Sequence, residues 1–182
     1  LTDRDGWTHN DGMTLFVQTV PQFLKMLSNL DGWLDLAVEH GKSKGFDVRV
    51  LLDARLAPDQ FALKKQVQAA CDQMKTAAAR LSGAEPPAHP DTEQTLEELR
   101  ARIATVRAYL SGFSAKDFEG AEARVIPLPF IPGKGLDAQA YVTDLVLPNT
   151  YFHLTTAYAI LRHNGVDLGK RHFIGAMPLR DL

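Results

Sequence analysis

The sequence predicts an all-α fold, a four-helix bundle, on three observations. First, the stretch 141–161, YVTDLVLPNTYFHLTTAYAIL, carries one acidic residue, Asp144, and no lysine or arginine. A surface helix shows a single apolar stripe, whereas a helix apolar on most faces is buried; this stretch is therefore the central helix. Second, three further segments repeat apolar residues at helical spacing. Third, extended character is confined to ARVIPLPF, in a long connection ahead of the last helix. Four long helices with mixed connections form a left-handed, near-antiparallel bundle.

The first helix lies within 14–41, with Phe23, Leu27, Leu30, Leu34 and Ala37 as its stripe and Met26 and Trp33 widening it. Thr19 and Gln22 have the spacing of a capping box, which would put Pro21 in the first turn. Alternatively the helix begins at Thr14 and bends at Pro21. Gly41 and Gly45 end it, and His40 in its last turn suits the helix dipole. Residues 46–56 make one or two helical turns across the end of the bundle.

Pro58 and Asp59 open the second long helix, which runs to about Leu81. Leu63, Val67, Ala70, Met74, Ala77 and Leu81 form its stripe, and Lys64, Lys65, Gln68, Gln73, Lys75 and Arg80 its other face. After the stiff loop GAEPPAHP, Asp91 or Thr92 caps a third helix carrying Leu96, Leu99, Ile103, Val106 and Leu110. Glu97, Glu98, Arg100, Arg102 and Arg107 make its exposed face. The connection 113–136 is long for a bundle and takes the form of a short hairpin or an extended arm. Asn164 and Gly165 terminate the last helix, and the tail packs along the bundle surface.

Residues 13–182 are expected to form one domain. The preceding LTDRDGWTHNDG is polar and aperiodic, and reads as a disordered or tag-like extension before a natural start at Met13. A formal net charge of −2, with both signs interspersed, gives no case for nucleic acid or an anionic membrane. The single Cys71 excludes an internal disulfide and fits a reducing, cytoplasmic setting. Asp144, Pro148, Asn149 and His153 interrupt the apolar run and argue for a protein interior, not a membrane span.

The chemistry concentrates on the last helix. Pro148 removes the bond to the carbonyl of Asp144 and should kink the helix. Asn149 and His153 follow at i and i+4, and Thr156 and Ile160 continue that row. One reading is a polar pocket beside the kink, lined by Asn149, Tyr151, His153 and Thr156. The other is that Asn149 and His153 merely satisfy the carbonyls that Pro148 leaves free. Leu145, Phe152, Thr156 and Ile160 are expected to point inward, and His153 to be buried with a partner on the first or second helix. Cys71 reads as a small core residue and Asp72 as solvated. His89, His163 and His172 read as loop, capping and tail residues. No GxSxG, phosphate-loop, dinucleotide-binding or CxxC pattern is present.

Three stretches, PNTYFHLTTAYAILRHNGVDLGKRHFIG, ARLAPDQFALKKQVQAACDQMK and FEGAEARVIPLPF, resemble a bacterial family of unknown function grouped with the DinB-like (DinB/YfiT) superfamily. The resemblance covers nearly all of 13–176. It implies a DinB-like bundle, within a superfamily in which many members bind a divalent metal through three histidines. One of those comes from the second helix and two from an HxxxH pair on the fourth, and some members are thiol-dependent transferases or isomerases. His153 matches the second histidine of the pair. The first falls on Asn149, and the second-helix position falls near Gln68 or Ala69. Two of three ligands are thus absent, so no complete metal site is expected, and His153 is at most a lone ligand.

Two functions follow as expectations. One is a small-molecule-binding bundle or a degenerate metal-dependent transferase or isomerase, with His153 as its acid–base group and Tyr151 or Tyr158 as a donor. The other is a non-catalytic, homodimeric stress-related or binding scaffold.

Overall fold

The computed structural model describes residues 14–181; the expectations for residues 1–12 and for Met13 lie outside them. The bundle consists of α1 (Leu15–Lys44), α2 (Leu63–Ser82), α3 (Leu96–Ser111) and a segmented last helix. That helix begins as α4 (Ala138–Ala140), widens into a π-helical turn over Tyr141–Val146, and continues as α5 (Leu147–His163). The long connection holds the hairpin, β1 (Val125–Pro127) antiparallel to β2 (Gly135–Asp137) with Ile126 opposite Leu136. A short α6 (Lys170–Ile174) follows α5. Among the described residues no helix is long and apolar enough to cross a membrane.

Local chemistry explains where the helices start and stop. Thr14 caps α1 by accepting from the Val17 N–H at 3.3 Å, so the start is at Thr14 and the Thr19–Gln22 box is not formed. Instead the Thr19 hydroxyl donates to the Leu15 carbonyl at 2.6 Å. The helix passes through Gly41, where a Cβ would meet that of Val48 at 3.1 Å, and stops at Gly45 with φ 72°. Val48–Asp53 supplies the expected turns as a 3-10 segment. The start of α2 falls later than Pro58: Gln60 N–H closes a turn on Ala57, and Leu63 N–H bonds the Ala54 carbonyl at 2.9 Å. Thr95 and Glu98, not Asp91 or Thr92, cap α3 through a capping box.

Asp91 is instead an ion-pair residue. The 83–95 loop folds back over the α2–α3 seam and brings Asp91 and Glu93 onto Arg102, which is only 5% exposed. Arg102 also bonds Asp72 at 2.8 Å, and Lys75 reaches the same carboxylate at 2.7 Å. Gln68 donates to Glu93 at 2.8 Å. Periodicity assigned Gln68, Lys75 and Arg102 to outer faces and Asp72 to solvent; the first three are buried beneath the loop, and Asp72 is engaged by Arg102 and Lys75.

The last helix departs from expectation in one respect. Pro148 sits in the first turn of α5, immediately after the π turn. A π turn adds a residue and changes the hydrogen-bond register, so the missing N–H falls where the ladder is already rearranged. The extra residue also rotates the two halves relative to one another. Within α5 the buried row runs through Thr150, His153, Ala157 and Ile160, and Phe152 falls outside it. Thr156 and Ile160 are buried and Leu145 is half-buried, but Phe152 is 54% exposed. The tail packs on α1: Trp33 Nε1 donates to the His172 carbonyl at 3.0 Å, and its ring stacks on Phe173 at 5.4 Å. His40 donates to the carbonyl of Asn164, at the end of α5, at 3.1 Å.

Candidate functional site

The site lies where one side of α2 faces the last helix. The two run antiparallel and are joined by two side-chain pairs. His153 Nδ1 lies 2.7 Å from Gln66 Oε1, and Asn149 Nδ2 donates to Gln73 Oε1 at 2.8 Å. Gln66 in turn donates through Nε2 to the Phe61 carbonyl at 3.1 Å. That bond turns the amide so that its oxygen faces the imidazole. An amide oxygen only accepts, so Nδ1 carries the proton and Nε2 keeps its lone pair.

Burial lowers the pKa of His153 below the ordinary histidine value, and the positive charge of Lys65 lowers it further. His153 is only 8% exposed, and its ring resists protonation because the charged form loses its hydration. His153 is therefore a neutral imidazole near pH 7, oriented by a partner on the opposite helix. The described residues give Nε2 no hydrogen-bond partner.

Beside this ring runs a groove of about 540 Å³, whose walls include Lys65, Gln73, Arg80, Tyr141, Asn149 and His153. The α2 residues among them recur every three or four positions, with Ala69 and Thr76 completing one side of the helix. Sequence reasoning missed this strip because it treated Lys65, Gln73 and Arg80 as a solvated face. It also missed Gln66, and it took Tyr141 only as the edge of the apolar run. The signal that could have found the strip was the small Ala69 and Thr76 interleaved with long polar residues.

Of the four expected pocket residues, the structure brings together Asn149 and His153. Tyr151 turns toward α1, where its hydroxyl accepts from Gln22 at 2.6 Å. Thr156 is buried and its hydroxyl donates to the Phe152 carbonyl one turn back, at 2.7 Å. Neither lines the groove. Tyr158 packs edge-on against Trp33 at 5.6 Å and belongs to the α1 side.

A three-histidine metal centre does not fit these residues. Gln68 is directed at Glu93, Ala69 has no donor atom, and the group opposite His153 is the Gln66 amide. The Asn149 amide is engaged with Gln73. Among the described residues no group of three or more His, Cys, Asp or Glu is arranged to hold an ion. Cys71 is fully buried and its thiol is pushed up to about 12 by that burial, which leaves it a core residue with no thiolate at neutral pH.

The four long helices, with a hairpin in the connection before the last, make a four-helix bundle, and comparison with solved structures shows it to be DinB-like. The chain superposes with a TM-score of 0.89 on the crystal structure of a DinB family member protein from Shewanella denitrificans. The two are 49% identical, over 92% of this chain and 96% of that one. Residues 15–174 match the family described as a domain of unknown function, DUF1993, and the chain belongs to that family. Comparison with curated proteins gives no match.

Proposed function

We propose that the groove between α2 and the last helix binds a polar organic molecule, and that His153 exchanges a proton with it through Nε2. The observation that supports this most is the Phe61–Gln66–His153 chain. It sets the tautomer and orients the ring while leaving one basic nitrogen without a partner. An imidazole held neutral and aimed in this way suits general base chemistry. No step of this reading passes through a metal. A cytoplasmic setting belongs to the same proposal, supported by the single, unpaired Cys71.

The test is an NMR titration with a library of small polar fragments, read at the His153 ring and at the Gln73 and Asn149 side-chain amides. Binding fragments should shift these signals together and change the pKa of His153. In His153→Gln, fragments should still bind but lose their pH dependence. Fragments that cluster elsewhere, or that leave the ring unmoved, would contradict the reading.

A second reading, a homodimer, is favoured by the outer face of α5. Pro148, Phe152, Thr155 and Ala159 follow one another there without a charge, and Phe152 is half-exposed. Light scattering should then give twice the chain mass, and Phe152→Glu should restore the monomer. A monomeric parent protein would rule this reading out.

A further inference from the structure

Beyond the proton chemistry of His153, the groove contains a cation that the rest of the protein does not neutralise. Three carboxylates, Asp72, Asp91 and Glu93, form a connected ion-pair network with three cations, Lys65, Lys75 and Arg102. That network is neutral as a unit. It includes Lys65 and Asp72, two of the charged residues that line the groove. Arg80 lies on the same side of α2 but outside the network, and it makes no ion pair among the described residues. It is the groove's uncompensated charge.

Tyr141 stands beside it. The residue is 1% exposed, yet it forms part of the groove wall. Burial raises the pKa of its phenol, with the neighbouring Arg80 opposing through a hydrogen-bonding and coulombic interaction. The phenol therefore stays protonated at neutral pH and keeps a hydrogen to donate. A guanidinium beside a phenolic O–H is a donor pair suited to an oxyanion, with the arginine supplying charge and a planar fork. Tyr141 is the first residue of the π turn.

Resting on the groove reading above, we propose that its ligand is an elongated molecule with a carboxylate or phosphate at one end. Arg80 and Tyr141 hold that oxyanion, and the remainder runs past Gln73 and Asn149 toward His153. The length follows from the α2 wall of the groove, which runs from Lys65 to Arg80, about 22 Å along the helix axis. Only an extended molecule reaches from one end to the other.

The experiment is a titration of isotope-labelled protein with inorganic phosphate and, separately, with acetate, each against chloride at fixed ionic strength. Both are read at the Arg80 side-chain N–H and the Tyr141 amide. At least one anion should give saturable shifts there, and the one that saturates at lower concentration identifies the head group. Arg80→Gln should weaken that binding at least tenfold and Tyr141→Phe about threefold, with an unchanged His153 signal as proof of an intact fold. Absence of saturable shifts with both anions would overturn the inference, as would shifts of equal size in Arg80→Gln. The fragment titration separates the two failures. Fragments that move His153 and Asn149 while both anions leave Arg80 still would sink the oxyanion site and spare the groove. Fragments that bind elsewhere would sink both.

Discussion

Two polar assemblies flank α2, and they are built on opposite rules. Toward α3, the charges are numerous and close on one another: Arg102 is held by Asp72, Asp91 and Glu93, and Lys75 shares Asp72. Toward α5, the pairs are neutral, Gln66 with His153 and Gln73 with Asn149, and they leave the imidazole Nε2 and the Arg80 guanidinium open to a groove. The first assembly ties a loop to the bundle and cancels its own charge, although Arg102 Nε and the neighbouring His89 Nδ1 stay buried without a partner among the described residues. The second ties two helices together with amides and, among the described residues, leaves the imidazole Nε2 without a hydrogen bond and leaves Arg80, beside Tyr141, without an ion pair. Burial of polar groups alone does not mark a site; what separates the two is charge, cancelled within the first assembly and left without an ion pair at Arg80 in the second.

The comparison is most sharply tested by removing Arg102. Arg102→Met leaves three partly buried carboxylates short of a cation and should lower stability by about 3 kcal/mol, since breaking a buried pair exposes the cost of the charge left behind. Urea unfolding measures it. A change under ~0.5 kcal/mol would mean the network is no more than a solvated face.

Acid should act on the same assembly. Burial pushes Asp91 and Glu93 upward, but Lys65 and Arg102 outweigh it for Asp91, and Arg102, with Gln68, outweighs it for Glu93; both carboxyls end below their ordinary values. Groups depressed in the folded state contribute stability that is present above their unfolded values, about 4. That stability is lost as pH falls through the lower folded values. Unfolding midpoints should thus drop steeply below about pH 4 in the parent and more gently in Arg102→Met. Parallel profiles would refute the assignment.

On the α5 side the expected effects are smaller. His153→Ala leaves the Gln66 oxygen without its donor in a buried seam and should cost about 1–3 kcal/mol. His153→Gln, which can supply an amide N–H, should recover part of that. If both variants prove at least as stable as the parent, the imidazole contributes nothing to the seam. The smallest effect is electrostatic: since Lys65 adds to burial in lowering the His153 pKa, Lys65→Gln should raise it in a proton NMR titration. An unchanged value would remove Lys65 from the site.

Much of the bundle was legible because helix periodicity is local. The stripes of α1, α2 and α3, the hairpin signal in ARVIPLPF and the Asn164–Gly165 stop all rest on residues close in sequence. Phe152 and Arg102 were misread for different reasons. Phe152 falls just outside the buried row Thr150–His153–Ala157 of a helix with few charges to mark its faces, and Arg102 depends on a loop that returns from elsewhere to cover it. In the site, His153 and Asn149 were visible as an i, i+4 row beside Pro148, whereas Tyr151 and Thr156 sit on other faces of α5. Gln66 and Arg80 could not be chosen from the many polar residues of α2 until the antiparallel packing showed which of them face the groove.

The central claim is that His153 is neutral, carries its proton on Nδ1 and presents a bare Nε2. A long-range proton–nitrogen NMR correlation spectrum of the ring, recorded near pH 7, tests it most directly. The account predicts a protonated Nδ1, an unprotonated Nε2, and conversion to the doubly protonated ring only below the ordinary histidine value of about 6.5. A proton on Nε2, or an imidazolium already formed at pH 7, would contradict it.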